Sequence, residues 1–93
     1  MNLNKLRHIV AVDRCGSLTA AAKQVHITQS ALTKNIAYIE AEVGFALLER
    51  YHRGMQATSQ GRSFFDHAAR IVAVLSQLTT VAKLCRQFWI SSF

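Results

Sequence analysis

From Phe64 to Trp89 apolar or small side chains recur at alternating intervals of four and three: Phe64, Ala68, Ile71, Leu75, Leu78, Ala82, Cys85 and Trp89. Steps of four and three return to the same face of an α-helix, so this is a heptad seam. It predicts one helix of roughly 30 residues, about 45 Å long at about 1.5 Å per residue. A chain of 93 residues is enough for one compact domain and too short for two. The residues before the seam are too few to cover it. Phe64, Phe65 and Ala68 fit the domain's own core, but from Ile71 onward the seam of Ile71, Leu75, Leu78, Ala82, Cys85 and Trp89 needs a partner helix. A two-fold copy is the natural cover.

Three shorter helices are expected ahead of it. Leu3, Leu6, Ile9, Val10 and Val12 recur at mostly helical spacing until Cys15-Gly16, where glycine is a natural stop. Ser17 or Thr19 can cap a short helix from Ala20 to Val25, whose small residues let another helix come close. His26-Ile27 make a tight connection to Thr28, a good N-cap, and a third helix follows with Leu32, Ile36, Ile39 and Val43 on its buried face and Gly44 at its end. The opposite face carries Gln29, Ser30, Thr33, Lys34, Ala37 and Tyr38 and no acid. Between Leu47 and Thr58 the helical period fails around a Gly54-containing turn rich in Arg and His, and a short two-stranded hairpin fits best. Thr58 or Ser59 then caps the last helix.

Composition narrows the partners. The net charge is +6 and the sequence pI about 10.0, which favours a polyanion. Residues 1–62 hold eight basic and four acidic side chains and the remainder three and one, so the excess is diffuse. Cys15 and Cys85 lack motif spacing and read as reduced thiols. Gln77, Lys83, Arg86 and Gln87 interrupt the last apolar stretch before the roughly 20 residues of a membrane span, so no membrane partner and a cytoplasmic location are expected. His8, His26, His52 and His67 are not spaced as a metal box. The isolated glycines form no phosphate loop, and no nucleophile–base arrangement accompanies Asp13, Glu40, Glu42, Glu49 or Asp66. The expectation is a non-enzyme without metal or cofactor.

Three helices, a tight connection between the second and third, and a basic hairpin form the layout of a winged helix-turn-helix, whose third helix enters the DNA major groove. Specific strings carry a family resemblance: Gly16-Ser17-Leu18-Thr19-Ala20-Ala21-Ala22, Thr28-Gln29-Ser30-Ala31-Leu32-Thr33-Lys34-Asn35-Ile36, Ile39-Glu40 through Gly44, Leu48-Glu49-Arg50, Arg53-Gly54, and Thr58 to Gly61. In that order and spacing, from Leu6 to Phe65, the chain resembles the N-terminal domain of the LysR-type transcriptional regulators. The resemblance implies a DNA-binding domain and a dimerising linker helix, normally joined to a large effector-binding domain that the 93 residues do not contain. The sequence departs from the family pattern at Ala57, where a larger aliphatic residue is usual, and after about Leu75, where Cys85, Trp89 and Phe93 make an unusually apolar end.

The contacts this implies are chemically reasonable. Gln29, at the start of the third helix, can donate and accept, as bidentate reading of adenine requires, or it can share the cap with Thr28. Thr28, Ser30 and Thr33 offer hydroxyls, and Lys34 a charge, to phosphates or base edges. Thr19 and Lys23 can hold phosphates near the second helix. On the wing, Arg50, His52 and Arg53 are candidates, with Arg53 beside Gly54 suited to a narrow minor groove; Arg50 can instead pair with Glu49, Glu40 or Glu42.

The fold expected is mainly α: a winged helix-turn-helix over residues 1–58 and a linker helix over residues 59–93 packed on it. The function expected is sequence-specific regulation of transcription by a homodimer on near-palindromic double-stranded DNA, with a higher oligomer in a longer form and no small-molecule effector for this stretch. The alternative is a truncated interaction module that dimerises with a full-length regulator.

Overall fold

Asn2 starts the fold: its Oδ1 accepts from the amides of Asn4 and Lys5 at 2.8 and 3.1 Å, satisfying two first-turn donors that a helix leaves unpaired. The computed structural model describes the backbone of residues 1–91 and the side chains of residues 1–88. Helix α1 (Leu3–Cys15) ends at Gly16, whose amide bonds the Val12 carbonyl. Ser17 Oγ accepts from the Ala20 amide at 3.2 Å. Helix α2 (Leu18–Val25) therefore begins two residues before the expected Ala20. His26 turns the chain with φ of +60°, and Thr28 Oγ1 caps α3 (Gln29–Val43) by accepting from the Ala31 amide at 3.1 Å.

Strands β1 (Leu48–Tyr51) and β2 (Gly54–Ala57) pair antiparallel, with Leu48 opposite Ala57 and Tyr51 opposite Gly54. His52 and Arg53 are thus the whole connection, a tighter turn than the sequence implied. Thr58 holds the next junction: its hydroxyl donates to the Ala46 carbonyl at 2.6 Å and accepts from the Gly61 amide at 2.9 Å. Helix α4 (Ser59–Ser91) follows, 33 residues long.

Phe65, Ile9, Leu32, Ile39, Leu47 and Val12 are the largest fully buried side chains, each contributing about 1.5–3 kcal/mol by leaving water. They draw α1, α3, α4 and the residue just ahead of β1 onto one core. Gly61, Phe65, Ala68 and Val72, again four, three and four apart, form the face of α4 that meets it. Arg62 adds a two-pronged bond to Asp13 of α1, at 3.1 and 2.9 Å. Phe64 is half-buried and stacks edge-on against Phe65.

From Ile71 onward the heptad seam lies on a neighbouring face. Ile71 is 49% exposed and Leu78 62%, Leu75 is half-buried, and Ala82 and Cys85 are exposed. The side chain of Trp89 lies outside the described residues. Within Ser59–Phe88 an 18-residue window reaches a mean hydropathy of 1.3, enough by length and composition alone to cross a membrane, so the polar residues that interrupt the seam do not by themselves exclude a span. Ser76, Thr80, Lys83 and Gln87 share one face and Val74, Leu78, Val81 and Cys85 another, with Gln77 and Arg86 on the flanks between them. A two-sided helix of this kind suits one apolar partner face rather than lipid on all sides.

Candidate nucleic-acid interface

Thr28 sets the direction of α3 by capping it, and the first two turns then present Gln29, Ser30, Thr33 and Lys34 as exposed side chains. No acid interrupts that surface. Two of its groups are already engaged: Gln29 Nε2 donates to Thr19 Oγ1 of α2 at 3.0 Å, and the Thr33 hydroxyl donates to the Gln29 carbonyl at 2.9 Å. Thr33 thereby keeps its methyl and an acceptor lone pair for an incoming partner. Tyr38, assigned to the same face by sequence, is turned toward α1, where the Lys5 ammonium sits 3.7 Å from its ring centre.

The wing is fastened at two points. Glu40 Oε2 accepts from the amides of Leu47 and Leu48 at 2.7 and 3.3 Å, tying the base of β1 to α3. The Met55 amide donates to the Gly16 carbonyl at 2.9 Å, tying β2 to the turn before α2. Gly54 has φ of +136°, and a Cβ added there would be driven into that same Gly16 carbonyl. These ties place Arg50, Tyr51, His52 and Gly54 across a cleft of about 260 Å³ from Ser17, Leu18, Thr19 and Gln29.

Charge at the cleft is left uncommitted. Among the described residues the ion pairs are Met1–Glu42, Arg62–Asp13 and Arg62–Asp66, so the pairing of Arg50 with Glu49, Glu40 or Glu42 is not formed. Glu40 serves the two backbone amides, and Glu49 accepts from the Tyr51 hydroxyl at 3.0 Å, which raises the Tyr51 pKa. Lys23, Lys34, Arg50, His52 and Arg53 are all exposed.

A family model of the bacterial regulatory helix-turn-helix proteins, lysR family, matches residues 3–62. This chain belongs to the LysR family. Among its relatives, the HTH-type transcriptional regulator TcbR of Pseudomonas sp. (strain P51) is 39% identical over 72 residues, 77% of this chain and 24% of that protein. ClcR of Pseudomonas putida is 38% identical over 74 residues, 80% and 25% of the two chains. This LysR-family chain therefore spans about a quarter of the length of these relatives. Among solved structures, the complex of the CbnR DBD with DNA superposes with a TM-score of 0.77 at 33% identity, covering 91% of this chain and 98% of that one. The complex of the BenM DBD with catB site 1 DNA gives 0.79 at 35% identity, covering 89% of each. The mainly helical winged helix-turn-helix with a long last helix is thus the LysR-type architecture.

Sequence reasoning about this LysR-type domain missed the groups that hold it in place. Glu40 reads as a surface acid, and its only signal is a position one turn before Gly44 and seven residues before Leu47. His8 reads as a surface or packing residue. It is buried, with Asn35 Nδ2 of α3 3.0 Å from its Nδ1, where the amide donates to the neutral ring. Burial, and then the neighbouring Arg7 charge, lower its pKa below 6.5.

Proposed function

We propose that this chain is a DNA-binding transcriptional regulator of LysR type, acting on near-palindromic double-stranded DNA as a homodimer in the bacterial cytoplasm and not as an enzyme. The observation that carries the reading is the cleft that sets the acid-free start of α3 beside an unpaired basic wing. In this reading α3 enters the major groove with Gln29, Ser30, Thr33 and Lys34, the wing follows the minor groove with Arg53, and Thr19, Lys23, Thr28, Arg50 and His52 take the backbone. Residues 1–58 are the reading head and residues 59–93 the linker. The relatives named above being transcriptional regulators supports a role without catalysis.

Dimerisation rests on α4. Its seam of Ile71, Leu75, Leu78, Ala82 and Cys85 continues into an apolar groove of about 420 Å³ lined by Leu6, Phe45, Phe64, Ala68 and Ile71. A second copy covering both would hold two α3 helices at a fixed spacing, about 34 Å for each DNA turn between half-sites. Arg53→Ala tests the wing: the affinity should fall and the slope of log affinity against log salt should become shallower, by about 0.9 for a lost phosphate contact or by less for a contact in the groove. Unchanged affinity and slope remove Arg53 from the interface.

The exposed seam also favours a second reading, an interaction module that pairs with a full-length relative. Mixed dimers on co-purification, together with no protection of DNA by this chain alone, would select it.

A further inference from the structure

Gln29 and Thr19 stand ten residues apart on different helices, yet the Gln29 Nε2 to Thr19 Oγ1 distance is 3.0 Å. Both side chains are exposed at the mouth of the cleft between α2, α3 and the wing. A glutamine on a surface ordinarily samples many rotamers, and ordering it on binding costs conformational freedom. Here one amide hydrogen is already committed to Thr19. The nitrogen is held on the α2 side, and the carboxamide is left with one free hydrogen and its carbonyl oxygen.

We propose that Thr19 is the positioning residue for Gln29 and that the pair is built to read adenine. The inference rests on the reading of Gln29 as a base contact. One donor beside one acceptor matches the major-groove edge of adenine, which offers N7 to the amide hydrogen and the N6 hydrogens to the carbonyl oxygen. Guanine offers two acceptors there, so the Gln29 oxygen would face the O6 oxygen with no proton between them. Thymine offers O4 to the amide hydrogen and a methyl group beside it, and leaves the Gln29 oxygen unmatched.

The hydroxyl of Thr19 accepts from Gln29 and, among the described residues, donates to no protein acceptor. Its own proton remains for a phosphate oxygen. A single hydroxyl thus links the DNA backbone to the group that reads the base, and Gln29 meets the strand already turned. Alanine or valine at position 19 would remove both bonds, while serine would keep them.

The test uses the full chain and a duplex recovered from a random pool by selection with the wild-type protein, compared with a scrambled duplex of equal length. Thr19→Val should lower the ratio of selected to scrambled affinity by about three- to tenfold, the worth of one hydrogen bond, and Thr19→Ala should match it. Thr19→Ser should restore the ratio. In a Gln29→Ala background Thr19→Val should leave the ratio where Gln29→Ala put it, because the pair acts as a unit. Replacing adenines one at a time by 7-deazaadenine, which lacks the N7 acceptor, should weaken wild type at one position per half-site and leave Thr19→Val less sensitive there.

Equal loss on selected and scrambled duplexes, repeated in the Gln29→Ala background, would make Thr19 a phosphate contact alone and overturn the proposal. If no adenine in either half-site is sensitive to loss of N7, the assignment of the base is overturned. If Gln29→Ala lowers the ratio but Thr19→Val does not, Gln29 reads without Thr19. If Gln29→Ala itself leaves the ratio intact, the base-reading role of Gln29 fails first.

Discussion

Gly54→Ala isolates the tie between the wing and the helical body. Gly54 has φ of +136°, and a side-chain carbon there meets the Gly16 carbonyl, the same oxygen that accepts from the Met55 amide at 2.9 Å. Forcing a non-glycine residue into such backbone costs about 1–3 kcal/mol. Displacing the wing to relieve the contact sacrifices a hydrogen bond worth about 0.5–1.5 kcal/mol. The variant should therefore lose about 1.5–4.5 kcal/mol of wing docking. Urea unfolding and amide exchange on the same samples measure this. Local undocking is the cheaper escape, so Met55 exchange should accelerate by about tenfold or more. Gly44→Ala is the control: it has φ of +86° with nothing within 4 Å of the added carbon, so backbone strain acts alone at about 1–2 kcal/mol. Met55 protection equal to wild type in Gly54→Ala, with an unchanged urea midpoint, would refute the reasoning.

Three further perturbations follow from the same geometry. Glu40→Ala removes the carboxylate from the buried amides of Leu47 and Leu48, and urea unfolding should register a loss of about 1.5–3 kcal/mol; a change under about 0.5 kcal/mol would mean that water replaces Glu40 freely. His8 has its pKa lowered in the fold, so the folded state prefers the neutral ring. Its contribution is full above the unfolded pKa near 6.5 and is lost as pH falls through the lower folded value. The urea midpoint should drop on acidification from about pH 7 to about pH 5, less steeply in His8→Gln, and identical slopes would remove His8 as a source. Leu78→Asp puts a charge on an exposed seam position and should leave the helical signal intact while converting a dimer to a monomer in light scattering. A dimer that survives would place the interface elsewhere.

Local chemistry made much of the fold readable. Ser17 and Thr28 cap helices because a short hydroxyl reaches an amide three residues on, and Gly44 ends a helix because the chain must turn there; each signal sits within a few residues. The wing was legible as a break in period, but its anchorage was not, since Glu40 to Leu47 and Gly16 to Met55 are bonds between elements whose relative placement only the folded core decides. The last helix is instructive in another way. Phe64, Phe65 and Ala68 fitted the core equally by sequence, yet Phe65, Ala68 and Val72 are buried in it while Phe64 packs half-buried against its edge and Ile71 begins the exposed seam. Two adjacent apolar faces share one heptad pattern, and only the body of the domain distinguishes them. At the candidate interface, Gln29 and Arg53 stood out by residue type and position, whereas the bond from Gln29 to Thr19 needed two helices already crossed.

Fluorescence anisotropy of the wild-type chain on selected near-palindromic and scrambled duplexes, across a salt series, tests the central claim most directly. A reader of duplex DNA should prefer the selected site, and its affinity should fall with salt by about 0.9 log units per log unit for each phosphate neutralised. Equal and weak binding to both duplexes at every salt concentration would contradict the account and leave the apolar seam of α4, rather than the cleft beside α3, as the working surface of the molecule.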